Sequence, residues 1–262
     1  MNYIDRIGER LIVFIENIKS FGRFMATVVR RFLSLYSEKK INADVLVRQV
    51  YFTGFEAFWL VSIIAFGIGA LIILQGNIIL STFGQTKLMY VLLVTVVIRE
   101  LSSILTALIV IARSGTSICT ELGNMKVSHE IDLLQSYGIS PINYLVISRV
   151  FGVVVALFTL TIYFNIISIL GGWFFTSFFY PIPLKDFMMH LIGELSVGDL
   201  LISVIKSVFF GFFIALISCY QGLQVVVART EVPQRTIRAV VQSILAVIVI
   251  DILITYIYYL VL

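Results

Sequence analysis

The chain has 262 residues, 60% of them hydrophobic and only 13% charged, with a formal net charge of +4 and a mean hydropathy of +1.03. That much apolar surface excludes a soluble fold and predicts an all-α polytopic membrane protein, because each crossing takes roughly 20 apolar residues to cover about 30 Å of hydrocarbon. A membrane β-barrel would show short alternating segments, whereas the apolar runs here are continuous.

At the N-terminus Ile4, Ile7, Leu11, Phe14, Ile18, Phe21, Met25 and Val28 follow one another in steps of three and four, which stacks them on a single helical stripe. Asp5, Arg6, Glu9, Arg10, Glu16, Lys19 and Arg23 occupy the other faces. Charges that recur every turn rule out a signal peptide or a span. Residues 1–50 are therefore expected to form an amphipathic region lying in the cytoplasmic interface, with a coiled coil as the alternative.

Five spans follow, over about 52–75, 88–112, 142–170, 198–225 and 239–261, and together 51–262 form one transmembrane domain. Nine Lys and Arg precede the first span, Arg113, Lys126 and Arg149 flank the second joint, and Arg229, Arg235 and Arg238 fill the fourth, whereas the opposite side carries only Lys87 and Lys185. By the positive-inside rule the N-terminus is cytoplasmic. The joint from Gly171 to Asp199 on the other side is long and aromatic, with Trp, Phe and Tyr suited to the headgroup level.

The second span raises the question of function. In "VVIRELSSILTALIVIARSG", Thr95, Arg99, Ser102, Thr106 and Arg113 fall at spacings of four, three, four and seven, so an α-helix would align them on one face. Such a stripe must look into protein or a wet cavity, since lipid offers hydroxyls and guanidinium no partner. Glu100 lies about 100° around from Arg99 and needs a partner of its own. Lys206 and Asp251 lie at similar depth, and the expected pairs are Glu100 with Lys206, and Arg99 with Asp251 or a lipid phosphate. Ser203, Ser207, Gly211, Ala215, Ser218 and Gly222 on the fourth span, and Ser148, Gly152 and Ala156 on the third, read as small-residue packing seams.

Between spans two and three a coupling segment of about 114–141 is expected on the cytoplasmic side. Ser128 is expected to cap a short helix with Glu130 and Asp132 in its first turn, Ile131 and Leu134 as an apolar edge, Gly138 as its stop and Pro141 at the start of the third span. The two cysteines, Cys119 and Cys219, fall near cytoplasmic span ends, where no disulfide is expected. His129 and His190 stand alone, so neither a metal site nor any other cofactor is expected. The sequence carries no phosphate-loop motif and no catalytic constellation; any work with ATP needs a second chain.

The run from Ile98 to Val150 resembles the MlaE (YrbE) family, the permease subunits of MCE-associated ABC transporters. Arg99, Glu100, Leu101, Thr106, Ala107, Arg113, Gly115, Glu121, Leu122, Gly123, Met125, Glu130, Ile131, Asp132, Gly138, Pro141 and Arg149 fall in step with the family pattern. The likeness continues through "IKS" at 205–207 and "RTIRAVVQS" to "DILIT". There are departures: Ser103 and Ser148 stand where the family has proline, and the joint "ARTEVPQRTIR" lacks the family's glycines.

The resemblance implies a non-enzymatic permease of the bacterial inner membrane, or of a plastid envelope, that forms a homodimer and binds cytoplasmic ABC ATPase subunits. It implies movement of phospholipid between the membrane and an MCE-domain protein on the outer side, supporting lipid traffic between inner and outer membranes and outer-membrane lipid asymmetry. A small STAS-domain subunit on the ATPase belongs to the same picture; nucleic acid does not. Arg99, Glu100, Thr95, Ser102, Ser103, Thr106, Lys206 and Asp251 would border the lipid cavity or gate it. Glu121, Leu122, Gly123, Met125, Glu130, Ile131, Asp132, Leu134 and Gly138 would couple to the ATPase. The alternative from the residues alone is a stand-alone ion- or proton-coupled carrier using Glu100, Lys206 and Asp251 as a relay.

Overall fold

The computed structural model describes residues 16, 19–31, 43–81, 87–179, 183–226 and 228–261, and contains no strand among them. Helix α1 covers 19–31, α2 Ala43–Ser81, α3 the continuous run 87–127, α4 Glu130–Ser136, α5 the run 142–179, α6 Leu184–Glu194, α7 Val197–Leu223 and α8 Glu231–Val261. Five stretches are long and apolar enough to cross a membrane: Gln49–Gly76, Tyr90–Val127, Ile142–Phe178, Val197–Leu223 and Glu231–Leu260.

The number of spans agrees with the sequence, but three boundaries do not. Helix α3 runs on to Val127 instead of ending near 112, so most of the expected coupling segment prolongs the span. Helix α5 continues to Phe179, taking in residues read as a joint, and α8 begins at Glu231. At the α3 and α8 ends the polar residues that suggest a break find partners within the bundle, as Glu121 does in Arg149 and Arg235 does in Glu231, and at the α5 end the aromatic run that suggests an interfacial joint continues the helix.

Helix α3 is not uniformly α. It contains two wider π segments, Leu93–Leu101 and Ile111–Gly115, separated by the α segment Ser102–Val110. A third π segment, Ile142–Val146, opens α5. A π turn closes i→i+5 bonds and accommodates an extra residue. The polar stripe expected from α spacing is therefore broken: Ser102 and Thr106 are fully buried, Thr95 and Arg99 half-buried, and Arg113 exposed.

Small residues set the helix spacing. A Cβ on Gly171 would lie 2.5 Å from the Phe66 carbonyl oxygen, one on Gly211 2.9 Å from the Val154 Cα, and one on Gly222 2.8 Å from the Cys119 carbonyl oxygen. These contacts draw α2 onto α5, α5 onto α7, and α7 onto the far end of α3. The seam expected on the fourth span is buried throughout its length, as are Ser148, Gly152 and Ala156. Helix α8 lies on α7 and leaves Val241, Leu245, Ile248, Ile252 and Tyr256 exposed, an apolar face suited to lipid.

At the end of the bundle that holds the 127–141 joint, the Phe21 and Phe24 rings of α1 sit 5.2 and 5.5 Å from the ring of Tyr220. Arg31 Nη1 donates to Ser140 Oγ at 3.3 Å and Asn143 Oδ1 at 3.2 Å. The apolar stripe expected at Phe21, Met25 and Val28 thus rests on the bundle itself; its earlier members, Ile4 to Ile18, lie outside the described residues.

Ser128 does not cap α4. It closes α3, and His129 precedes α4 in the left-handed region at φ 58°, without a side-chain cap. Lys126 Nζ at 2.8 Å and His129 Nδ1 at 2.9 Å both reach Asp132 in the first turn of α4. Lys126 first, and His129 second, hold this exposed carboxyl below the ordinary carboxylate range. Gly138, at φ 74°, stops the helix as expected, and Ile131 and Leu134 pack inward.

Candidate functional site

Near the α6 end of the bundle, α3, α7 and α8 bring five charges together. Lys206, whose side chain is 0% exposed, places Nζ 2.5 Å from Glu100 Oε2 and 2.9 Å from Asp251 Oδ1. Glu100 and Asp251 keep side-chain exposures of 27% and 16%, so the ammonium is sealed behind the two carboxylates. An ammonium this deep costs several kcal/mol to desolvate unless its partners stay charged and close, about what two carboxylates at these distances offset.

Arg99 makes a separate pair. Its Nε and Nη2 donate to Asp199 Oδ1 at 2.9 and 2.7 Å, and Nη1 donates to the Tyr259 hydroxyl at 2.9 Å. The guanidinium also lies 5.0 Å from the Tyr258 ring centroid and 5.6 Å from that of Tyr259, close enough for cation–π attraction. The pairing of Glu100 with Lys206 is present as expected. That of Arg99 with Asp251 is not: Asp251 is engaged by Lys206, and Arg99 is held by Asp199 at the start of α7.

Asp199 has two tasks. Its Oδ2 accepts the Ser196 backbone N–H at 3.1 Å, while Ser196 Oγ accepts the Gly198 N–H at 3.2 Å, a reciprocal cap on α7. Because the other oxygen takes Arg99, the first turn of α7 is tied to the π segment of α3. The cluster contains two cations and three carboxylates, a net charge of −1, where two of each were expected.

Beneath the charges the hydroxyls of α3 meet protein. Ser102 Oγ and Ser103 Oγ lie 3.2 and 3.3 Å from Ser203 Oγ, and Ser103 Oγ donates to the Ser203 carbonyl at 3.1 Å. Asn165 Nδ2 reaches Ser203 Oγ at 3.5 Å from α5. Thr106 Oγ1 turns back to the Ser102 carbonyl at 2.5 Å. Ser102, Ser103 and Thr106 thus form a fully buried knot, and only Arg99, Glu100, Thr95 and Asp251 keep partial access to the surface.

The residues expected to couple divide similarly. Leu122 is buried, Met125 packs on the core, and a Cβ on Gly123 would lie 3.1 Å from Val232 Cγ1. Glu121 pairs with the buried Arg149 at 2.8 Å. Exposed apolar surface comes instead from Leu133, Tyr137, Ile139 and Tyr144, which sequence reasoning missed. Leu133 on α4 and Tyr137 at its C-cap are four apart, on the side turned away from Ile131, and that spacing was the available signal. His190 stacks 5.4 Å from Tyr90, Cys119 and Cys219 are buried thiols, and no group of three metal-ligating side chains occurs among the described residues.

The profile of a family described as Permease MlaE matches residues 46–257. A probable ABC transporter permease of Rickettsia conorii is 28% identical over 258 residues, covering 98% of both chains. One from Pyropia yezoensis is 30% identical over 244 residues, 92% of this chain and 93% of that one. The intermembrane phospholipid transport system permease protein MlaE of Haemophilus influenzae is 26% identical over 258 residues, 97% of each.

Proposed function

Since this chain belongs to the MlaE permease family and is the permease subunit of an ABC transporter, we propose that its cargo is phospholipid, exchanged between the membrane and an MCE-domain protein on the outer side. The name of the Haemophilus influenzae relative supports this cargo. A separate cytoplasmic ATPase hydrolyses the nucleotide, with a STAS-domain subunit attached to it, and two permease copies face each other. The stand-alone carrier built on Glu100, Lys206 and Asp251 gives way to the family assignment.

The observation that carries the reading is the five-charge cluster beside the open apolar face of α8. Half-buried Arg99, bound to Asp199 yet reachable from that face, presents a cation where a phosphate can compete for it. Glu100 and Asp251 close over Lys206, and motion of α8 against α3 breaks that ion pair in the way a gate requires. Ser102, Ser103 and Thr106, fully buried against Ser203, set the helix spacing under the gate.

Arg113, Lys126, Arg149, Arg229, Arg235 and Arg238, gathered at the joint end, support a cytoplasmic N-terminus. The exposed Leu133, Tyr137 and Ile139 on that side form the seat for the ATPase, with Asp132 and Gly138 fixing the angle of α4. Purification in mild detergent followed by mass spectrometry of bound subunits and lipid tests the whole reading. A co-purifying ATPase and retained phospholipid, the latter lost in Arg99→Ala, are the expected result. A chain that brings neither overturns it.

A further inference from the structure

A cavity of about 470 Å³ lies at the joint end, roofed by Ser20 and Phe24 of α1 and bounded by the ends of α3 and α7, by α4 and by the start of α5. It is far from the charge cluster: Lys206 and Tyr220, both on α7, are 14 residues apart, about 21 Å along the axis at 1.5 Å per residue. Its size is that of a small-ligand site.

Its polar lining holds one cation, Lys126, with Ser20, Gln135, Ser140 and Gln224 as neutral groups able to donate, and no acidic side chain among the described residues. Asp132 takes one N–H of Lys126, at 2.8 Å, and is shared with His129, so the ammonium keeps further protons to give. The Gln224 amide oxygen is occupied by Arg235 Nη1 at 2.8 Å, which leaves its NH₂ as the free end. Tyr220 adds ring surface to the lining, while its hydroxyl is sealed away from the surface. Phe24, Ile131 and Leu223 supply an apolar wall. One cation with protons to spare, several neutral donors and a greasy wall at the end of two spans describe an anionic amphiphile.

We propose that this cavity binds the phosphate headgroup of an anionic phospholipid from the adjoining leaflet, as a site separate from the cargo route. Because the occupant touches α1, α4 and the ends of α3, α5 and α7 at once, it stiffens the joint on which α4 is carried. The site stands on its own lining and does not depend on what the permease moves.

The test is amide hydrogen exchange on the full-length chain in nanodiscs of phosphatidylcholine alone, phosphatidylcholine with phosphatidylglycerol, and phosphatidylcholine with inorganic phosphate in the buffer. Phosphatidylglycerol is expected to slow exchange over 130–138 by about tenfold, the effect of one charge-assisted hydrogen bond, and inorganic phosphate to leave it unchanged. Gln135→Trp at the exposed mouth and Ser20→Leu on the roof, neither of which alters a charge, are expected to abolish the slowing while keeping the melting temperature in phosphatidylcholine. Equal exchange in the two lipid mixtures, equal protection by free phosphate, or full protection in both variants overturns the proposal. The wild-type comparison decides alone if a variant fails to fold.

Discussion

Replacing Lys206 by Met removes the one cation that Glu100 and Asp251 share, at 2.5 and 2.9 Å, and leaves two carboxylates facing each other in a low-dielectric site. Breaking a buried pair from one side costs about 3–5 kcal/mol. Removing either carboxylate alone leaves the ammonium paired with the other and costs less, about 1.5–3 kcal/mol for Glu100, whose hydrogen bond from Lys206 is lost, and no more for Asp251, which Lys206 holds as an ion pair. Lys206→Met should therefore melt about 6–20 °C below the wild type, at roughly 2–4 °C per kcal/mol, with Asp251→Asn and Glu100→Gln well above it. Adding Asp251→Asn to Lys206→Met should recover part of the loss, because it relieves the repulsion. The assay is thermal unfolding of the purified chain in one mild detergent, followed by intrinsic fluorescence. If Lys206→Met melts at or above Asp251→Asn, or the double variant melts lowest, the shared-ammonium account of this site is wrong.

Asp199→Asn keeps an oxygen for the α7 cap and loses the ion pair with Arg99, whereas Asp199→Ala loses both, so the alanine variant should be less stable by a further 0.5–2 kcal/mol or about that; equal melting temperatures would show that the cap contributes nothing. Gly222→Ala places a methyl 2.8 Å from the Cys119 carbonyl oxygen and should destabilise by about 1–3 kcal/mol, while Gly193→Ala, with nothing within 4 Å, should be close to silent in the same melt. The Asp132 carboxyl is held below its ordinary value by Lys126 and His129, so its contribution to the joint is present at neutral pH and disappears as pH falls through that lowered value, under about pH 4. Lys126→Gln should move that loss to higher pH, which amide exchange over 130–137 measured against pH will register.

Much of the bundle was legible because its cause is local: continuous apolar runs make spans, and small residues at steps of three and four make seams. The pairing of Glu100 with Lys206 was legible from depth alone, since buried charges of opposite sign at one level have few other partners. Arg99 was assigned the wrong carboxylate because Asp199 was counted as part of a joint. The Ser196-x-x-Asp199 spacing marks a reciprocal helix cap and would have placed Asp199 on the first turn of α7, level with the π segment. Helix widening left no such trace: "LVTVVIREL" has no composition that separates a π segment from an α one, and the difference comes from packing against α7 and α8. The same holds at 121–127, where Glu121 looks like the edge of a loop until Arg149 supplies the partner that keeps the helix going.

The two wide segments in α3 have a consequence for how insertions and deletions act. A π turn holds about one residue more than an α turn, so excising one residue between Leu93 and Val97 lets that stretch relax to α with its flanks near their present facing, whereas excising one within Ser102–Val110 swings everything before it by about 100°, more than a quarter turn. Every apolar residue could be retained and the hydropathy profile would barely change, yet in the second case Arg99 and Glu100 would lose their alignment with Asp199 and Lys206. In this span the count of residues, as much as their identity, specifies where the charges meet.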